Sequence, residues 1–223
     1  MEQRHFDREL LELKEKLLLM AAKVEQLIKQ SIDALIKKDA VLAQSLFTLD
    51  KEVDKLEIEI EEDAISLIAR HQPAAGDLRF LVGAIKINND LERISDHGVN
   101  IAQSAIILAG QPDLKPLIDI PRMAELSIGM LKDSLDSFVN NDADKARAVC
   151  RSDDQVDDLK DLIARDLLNF MMESPDSIGR AMELILVSRN LERVADLSTN
   201  ISEEEIYISE AKIVKHHAEA KEN

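Results

Sequence analysis

The chain has 223 residues, of which 6 are Gly and 5 are Pro. Tight β-hairpins and sandwich corners need these two residue types, so their scarcity argues against an all-β fold. Lys and Arg together number 28, and Asp and Glu 44, which gives a formal net charge of −16. A protein that binds a nucleic-acid backbone needs the opposite charge. The composition therefore disfavours nucleic acid and favours cations or basic protein surfaces as partners.

The cysteine content and the N-terminal sequence indicate in which cellular compartment the protein is expected. The one cysteine, Cys150, excludes an intramolecular disulfide and a zinc site built from cysteines. The N-terminus is charged from its second residue and lacks the apolar core of a secretory signal. No apolar run approaches the roughly 18 residues needed to cross a membrane. These features predict a soluble protein in a reducing, cytoplasmic compartment.

Three long helices are predicted in the first half of the chain. Each has apolar residues spaced alternately by three and four, the pattern of a buried stripe on one helix face. The first two helices meet at Lys37–Asp39, where Asp39 is placed as an N-cap. The second helix ends at His71–Pro73, because the residue before a proline leaves the helical region. The stripes are Leu10, Leu13, Leu17, Met20, Val24 and Leu27; Leu42, Leu46, Leu49, Val53, Leu56 and Ile60; and Ile87, Leu91, Ile94, Gly98, Ile101, Ala105 and Leu108.

The second half of the chain repeats the first, across an irregular segment rich in Gly and Pro between residues 110 and 121. Leu91–Arg93 corresponds to Leu191–Arg193 at an offset of 100, and Asp39 corresponds to Asp142 at an offset of 103. Matching apolar patterns, breaks and acids indicate a duplication. We therefore predict an all-α protein of two tandem antiparallel three-helix bundles, residues 1–110 and 116–215, followed by a frayed tail at 216–223.

Pairs of acids four residues apart recur on two predicted helices of each half. Such residues share a helix face, where like charges destabilise a helix by a few tenths of a kcal/mol. The pairs of each half are centred on its predicted turn, at Pro73 or at Ser174–Pro175. Folding back at the turn therefore brings the two pairs level, about 30 Å from the turn. The pairs are Asp50 and Asp54, Glu92 and Asp96, Asp153 and Asp157, and Glu192 and Asp196.

These eight acids are candidate metal ligands. Four carboxylates at one level, with no thiolate and no histidine pair, predict a surface groove suited to Mg²⁺, Mn²⁺, Ca²⁺ or ferric iron. The alternative interpretation is that the pairs belong to ordinary solvated helix faces. Glu57 and Glu61 have no acidic counterparts in the second half and are interpreted as surface charge. His97 corresponds to Leu197, so the repeat does not support it as a ligand. The sequence has no P-loop and no GxSxG motif, so we do not expect an enzyme.

Three segments resemble the PhoU family of phosphate-transport regulators, and the resemblance covers nearly the whole chain. They are Leu91–Ala102, its copy Leu191–Ile201, and Pro73–Arg79. The resemblance implies two PhoU-type three-helix bundles in a cytoplasmic protein that is often a homodimer. It also implies binding of metal ions, in some members as iron or zinc clusters, through repeated acid-x3-Asp motifs. Those motifs correspond to the eight acids named above, and the identity of the metal stays open.

The resemblance further implies negative regulation of phosphate uptake and of the phosphate-starvation response. The partners it implies are the phosphate-specific ABC transporter and a membrane sensor histidine kinase, so that contact with the membrane is only through partners. The sequence departs from the family at Ser174–Ser177, which replaces the segment Pro73–Arg79 in the second half. Two alternatives stay open: a metal-independent acidic scaffold that binds basic protein surfaces, and an accessory protein of another phosphate permease.

Overall fold

A computed structural model describes residues 2–212, and the predicted tail at 216–223 and the predicted domain end at 215 lie outside this range. The described residues form six α-helices and one short 3₁₀ turn, and they contain no β-strand. The helices are α1 (Glu2–Lys37), α2 (Ala40–His71), α3 (Ala75–Ala109), α4 (Asp119–Asn140), α5 (Ala143–Glu173) and α6 (Ile178–Glu210), with the 3₁₀ turn at Pro175–Ser177. The predicted all-α fold with two three-helix bundles is confirmed.

The helix boundaries follow from local sequence signals that occur in both halves. The Asp39 carboxylate accepts a hydrogen bond from the backbone N–H of Leu42 at 2.9 Å, which caps α2. Asp142 caps α5 in the same way, accepting from Lys145 at 2.9 Å. Gln72 adopts a left-handed backbone conformation, with φ of 45°, and so ends α2 immediately before the proline. The predicted N-cap at Asp39 and the predicted break at residues 71–73 are therefore confirmed.

The inner helices α3 and α6 join the two bundles. Helix α3 packs against α1, α2 and α6, and α6 packs against α4, α5 and α3. The predicted apolar stripe of α3 is buried along its whole length, and residues from all six helices form one continuous core. An irregular segment at 110–118 separates the halves. The predicted division into domains at 110 and 116 stays a prediction, since the two halves share this core.

Gly98 allows α1 to approach α3 closely. A Cβ atom at this position would lie 2.1 Å from Cδ2 of Leu27 and 2.8 Å from Cδ1 of Ile28. Both side chains belong to α1 and are fully buried, so they have little room to move. The contact fixes α3 against the core two residues beyond Asp96, and it thereby positions the acid-bearing face of α3.

Gly129 lies in the interior of α4 with no comparable contact, since nothing lies within 4 Å of a Cβ placed there. Replacement of a helical glycine by alanine lowers the conformational entropy of the unfolded chain. We expect Gly129→Ala to raise the free energy of unfolding by about 0.5–1 kcal/mol, measured by urea denaturation. Gly98→Ala is the matched control and should lower it, because its Cβ meets Leu27. Destabilisation by Gly129→Ala would contradict the prediction.

Candidate functional site

The structure brings the four predicted acids of the first half together where α2 faces α3. Asp50 and Asp54 lie on α2, and Glu92 and Asp96 lie on α3. Burial raises the pKa of Asp54, and repulsion from Asp50 and Asp96 raises it further. The pKa of Glu92 is raised by burial, then by repulsion from Asp96, from Glu57 and from both aspartates of α2. We call the five acids Asp50, Asp54, Glu57, Glu92 and Asp96 the first acid cluster.

The second half repeats this arrangement between α5 and α6. Burial raises the pKa of Asp153 to about 6, with repulsion from Asp196 and Asp157 as the next causes. The pKa of Asp196 is likewise raised by burial and by repulsion from Glu192, partly opposed by Arg193. We call Asp153, Asp157, Glu192 and Asp196 the second acid cluster. In both halves, helices that fold back at their turns therefore gather carboxylates that repel one another.

Glu57 belongs to the first acid cluster. The sequence-based interpretation of this residue as surface charge did not assign it to the cluster. Its side chain is half-buried, and its pKa is raised by burial first and then by Glu61 and Asp54. The available signal was the spacing of seven residues from Asp50, which places both acids on one face of α2. The repeat concealed this signal, because the corresponding residue in the second half is Lys160.

The two clusters differ in the number of Lys and Arg side chains that pair with their acids. The Lys160 ammonium lies 2.8 Å from Asp157 and 3.5 Å from Glu192, so it neutralises part of the second cluster. Arg193 adds a hydrogen bond to Asp196 at 2.9 Å and lies 3.6 Å from Glu192. Its counterpart Arg93 lies 3.6 Å from Asp90 instead.

The first cluster has no such partner. Among the side chains of residues 5–212, no Lys or Arg forms an ion pair with any of its five acids. The hydroxyl of Ser95 donates a hydrogen bond to Asp50 at 2.7 Å. The first cluster therefore carries five carboxylates with no ion pair among the described side chains, and the attraction of Lys51 for Asp54 only partly offsets their repulsion.

The donor chemistry of the first cluster suits a hard cation, since all its ligands would be carboxylate oxygens. No group of three or more His, Cys, Asp and Glu side chains in the described part of the chain is arranged closely enough to hold a metal ion. A cation would therefore bind only after rotation of these side chains, which repel one another while no cation is bound. In the second cluster it would also have to displace Lys160 and Arg193. The assignment of the eight acids as metal ligands stays a prediction.

His97 and Asn100, which neighbour the acidic motif on α3, face α6. The ring nitrogen Nδ1 of His97 lies 2.9 Å from the amide oxygen of Asn190. The amide of Asn100 reaches the same oxygen at 3.4 Å. Both residues thus belong to the contact between the two bundles.

Among the helices that the structure covers, none is long and apolar enough to cross a lipid bilayer.

Comparison with known proteins agrees with this architecture. The family model described as the PhoU domain matches the chain twice, at residues 17–105 and 120–204. A "Phosphate-specific transport system accessory protein PhoU homolog" from Aquifex aeolicus is 43% identical over 94% of this chain and 95% of its own length. A protein of the same description from Clostridium acetobutylicum is 38% identical over 94% of this chain and 96% of its own.

Solved structures show the same fold. The crystal structure of PhoU from Pseudomonas aeruginosa superimposes with a TM-score of 0.90 at 34% identity, covering 93% of this chain and all of that one. The phosphate transport system regulatory protein PhoU from Streptococcus pneumoniae gives a TM-score of 0.87 at 28% identity, covering 94% of this chain and 99% of that one. Two matched domains, a duplicated acidic motif and relatives that align over almost the full length show that the chain belongs to the PhoU family.

Proposed function

We propose that the protein is a cytoplasmic, non-enzymatic regulator of a phosphate-specific transport system, and that its acid clusters bind metal ions. The transport role is supported by the relatives, whose descriptions name them accessory proteins of that system. The observation that carries the metal-binding role is the first acid cluster, where burial and then mutual repulsion raise the pKa of Asp54, Glu57 and Glu92, and where no ion pair with a described Lys or Arg compensates the carboxylates. A bound cation would remove this repulsion.

The acids of the first cluster would hold the ion between α2 and α3. Bound there, the metal supplies positive charge that compensates the carboxylates. Asp50 and Asp54 would hold it from one helix, and Glu92 and Asp96 from the other, so its charge would favour the packing of the two helices. Iron, zinc, manganese and magnesium are all candidates, and an all-oxygen site favours the harder ions among them. Asp153, Asp157, Glu192 and Asp196 would form a weaker second site, because Lys160 and Arg193 compete for their oxygens.

The regulatory output would be the charge and shape of the acidic faces. We propose that the phosphate ABC transporter and a sensor histidine kinase bind these faces, with the protein acting as a homodimer. Neutralisation of the first cluster weakens attraction for a basic partner surface while it stiffens the α2–α3 pair. Metal occupancy would thereby set which partner is bound, and no chemical step by the protein is required.

Metal analysis tests the site. Wild type, Glu92→Gln/Asp96→Asn and the control Asp7→Asn/Glu15→Gln are purified without chelators, and their metal content is measured by plasma mass spectrometry. The control removes the same charge from exposed positions on α1. We expect the cluster variant to lose the ion of the first site while the control keeps it. Equal metal content in all three proteins would refute the site assignment.

A second candidate function is a metal-independent acidic scaffold. It is favoured by the absence, among the described side chains, of a group already arranged to hold a metal. In that case, partner binding is unaffected by chelation and falls steeply with added salt, because only exposed charges are screened. Binding of the isolated transporter ATPase subunit, measured with and without EDTA over a salt series, separates the two functions.

A further inference from the structure

A polar cavity of about 500 Å³ lies between α3 and α6, on one side of the contact that joins the two bundles. This volume is in the range of small-molecule binding sites. We call it the inter-bundle groove. Its polar lining residues are His97, Asn100, Gln103 and Ser104 on α3, and Glu183, Arg189, Asn190 and Arg193 on α6. None of the carboxylates of the two acid clusters lines it.

The residues that line the groove are less acidic than the molecule as a whole. Comparison with the corresponding residues of the other half shows this. Shifting the lining positions of the groove by 100 residues gives their counterparts in the other half, and four of them change toward negative charge. Lys86 stands among these counterparts and is engaged by Glu204 at 2.9 Å. The substitutions are Asn89 for Arg189, Asp90 for Asn190, Glu203 for Gln103, and Glu204 for Ser104. The groove positions thus carry less negative charge than their counterparts, in a chain of net charge −16.

Hydrogen bonds fix the polar groups at one end of the groove. The amide nitrogen of Asn190 donates to the backbone carbonyl of Leu186 at 2.8 Å, which orients its oxygen as the acceptor. That oxygen lies 2.9 Å from Nδ1 of His97, so Nδ1 is the donor of this pair. The other ring nitrogen of His97, Nε2, is left for a ligand. In the neutral ring it is a hydrogen-bond acceptor.

Arg189 supplies the uncompensated positive charge of this end. It is exposed and has no ion pair or hydrogen bond among the described residues. Arg193 also lines the groove, but Asp196 and Glu192 already neutralise it. The acid of the groove, Glu183, accepts a hydrogen bond from Ser104 at 2.8 Å, about two turns of α3 nearer its C-terminus than His97. Positive and negative groups are therefore separated along the groove.

We propose that the end of the inter-bundle groove formed by His97, Asn100, Arg189 and Asn190 binds the phosphoryl group of a small anion. A guanidinium presents several N–H groups in a plane that matches phosphate oxygens, and the Asn100 amide adds a donor from the opposite helix. Donors on two sides suit a group with three terminal oxygens better than a carboxylate with two. No Phe or Tyr is among the lining residues, so the groove offers no stacking surface for a nucleobase.

Inorganic phosphate and a sugar phosphate both carry a phosphoryl group, and titration calorimetry distinguishes which of them the groove binds. Wild type, Arg189→Ala and the control Arg165→Ala are titrated at constant ionic strength with inorganic phosphate, with fructose 1,6-bisphosphate and with acetate. Arg165 is an exposed arginine on α5, outside the groove. Loss of a charge-assisted hydrogen bond predicts affinity about tenfold weaker for Arg189→Ala and unchanged for the control.

The titrations support or overturn the proposal directly. Saturable binding of either phosphate compound that Arg189→Ala weakens and Arg165→Ala does not supports it, and the tighter probe identifies the source. Equal affinity in Arg189→Ala and wild type, equal binding of acetate, or no saturable binding of either phosphate compound overturns it. The outcome is separate from that of the metal analysis, because the groove and the acid clusters are titrated by different ligands.

Discussion

Glu57→Lys is expected to weaken the binding of a divalent cation to the first acid cluster about 100-fold. The substitution changes the local charge by two units beside Glu92 and Asp54. For a divalent ion about 6 Å away, this costs about 3 kcal/mol at the dielectric constant of water, which is roughly a factor of 100 in Kd. The new lysine also imitates Lys160, which already pairs with Asp157 and Glu192 in the second cluster.

Manganese titration followed by electron paramagnetic resonance measures the effect, with two further variants for comparison. Glu61→Lys introduces the same charge one turn further along α2, at a more exposed position outside the cluster, and should weaken binding much less. Lys160→Glu gives the second cluster the same five acids as the first and should strengthen Mn²⁺ binding to the second cluster. The folded protein without metal should be more stable after Glu57→Lys, because repulsion falls, so lost binding cannot be ascribed to unfolding. Equal Mn²⁺ affinity of Glu57→Lys and wild type would contradict a cation site at this cluster.

The helices were predictable from the sequence because their signals are local. A stripe such as Leu91, Ile94 and Gly98 needs only the period of the helix, and the cap at Asp39 needs only the next three residues. The acid pairs were predictable for the same reason, since Asp50 and Asp54 must share a face once α2 forms. Their encounter with Glu92 and Asp96 followed from the position of the turn alone.

Differences between the halves were harder to predict than their similarities. The repeat emphasised residues that occur twice, and Glu57 was set aside because Lys160 stands at the matching position. The same comparison gave His97 no role, since its counterpart is Leu197. The inter-bundle groove exists only because α3 of one half packs against α6 of the other, and no short-range pattern specifies that contact. Duplicated sequences thus reveal a shared scaffold more readily than the features that distinguish the copies.

Glu205 is a buried acid that helix periodicity did not reveal. It lies on α6 with no exposed surface, and its Oε1 accepts a hydrogen bond from Ser209. Its Oε2 has no hydrogen-bond partner among the described residues. Burial raises its pKa from 4.5 to about 7, and repulsion from Asp142 adds to this, against the hydrogen bond and the attraction of Lys14. Loss of the proton would leave a buried charge without adequate compensation.

Glu205→Gln is therefore expected to stabilise the protein at pH 8 by about 3 kcal/mol, because one pKa unit corresponds to about 1.4 kcal/mol. Below about pH 4.5, Glu205 is protonated in both the folded and the unfolded state, and the two proteins should differ little. As the pH rises from 4.5 to 7, the unfolded wild type ionises while the folded form keeps the proton. Wild type loses stability over this window, and the variant, which has no proton to lose at this position, does not.

Urea denaturation at pH 4.5, 6 and 8 measures the difference, and Glu12→Gln on the exposed face of α1 is the control for simple charge removal. A stability gain that is large at pH 8, intermediate at pH 6 and absent at pH 4.5 identifies the carboxyl of Glu205 as the titrating group. A gain that does not depend on pH would mean that the amide merely packs better than the acid. A loss of stability at pH 8 would mean that Lys14 fully compensates the ionised carboxylate, so that burial does not raise the pKa of Glu205.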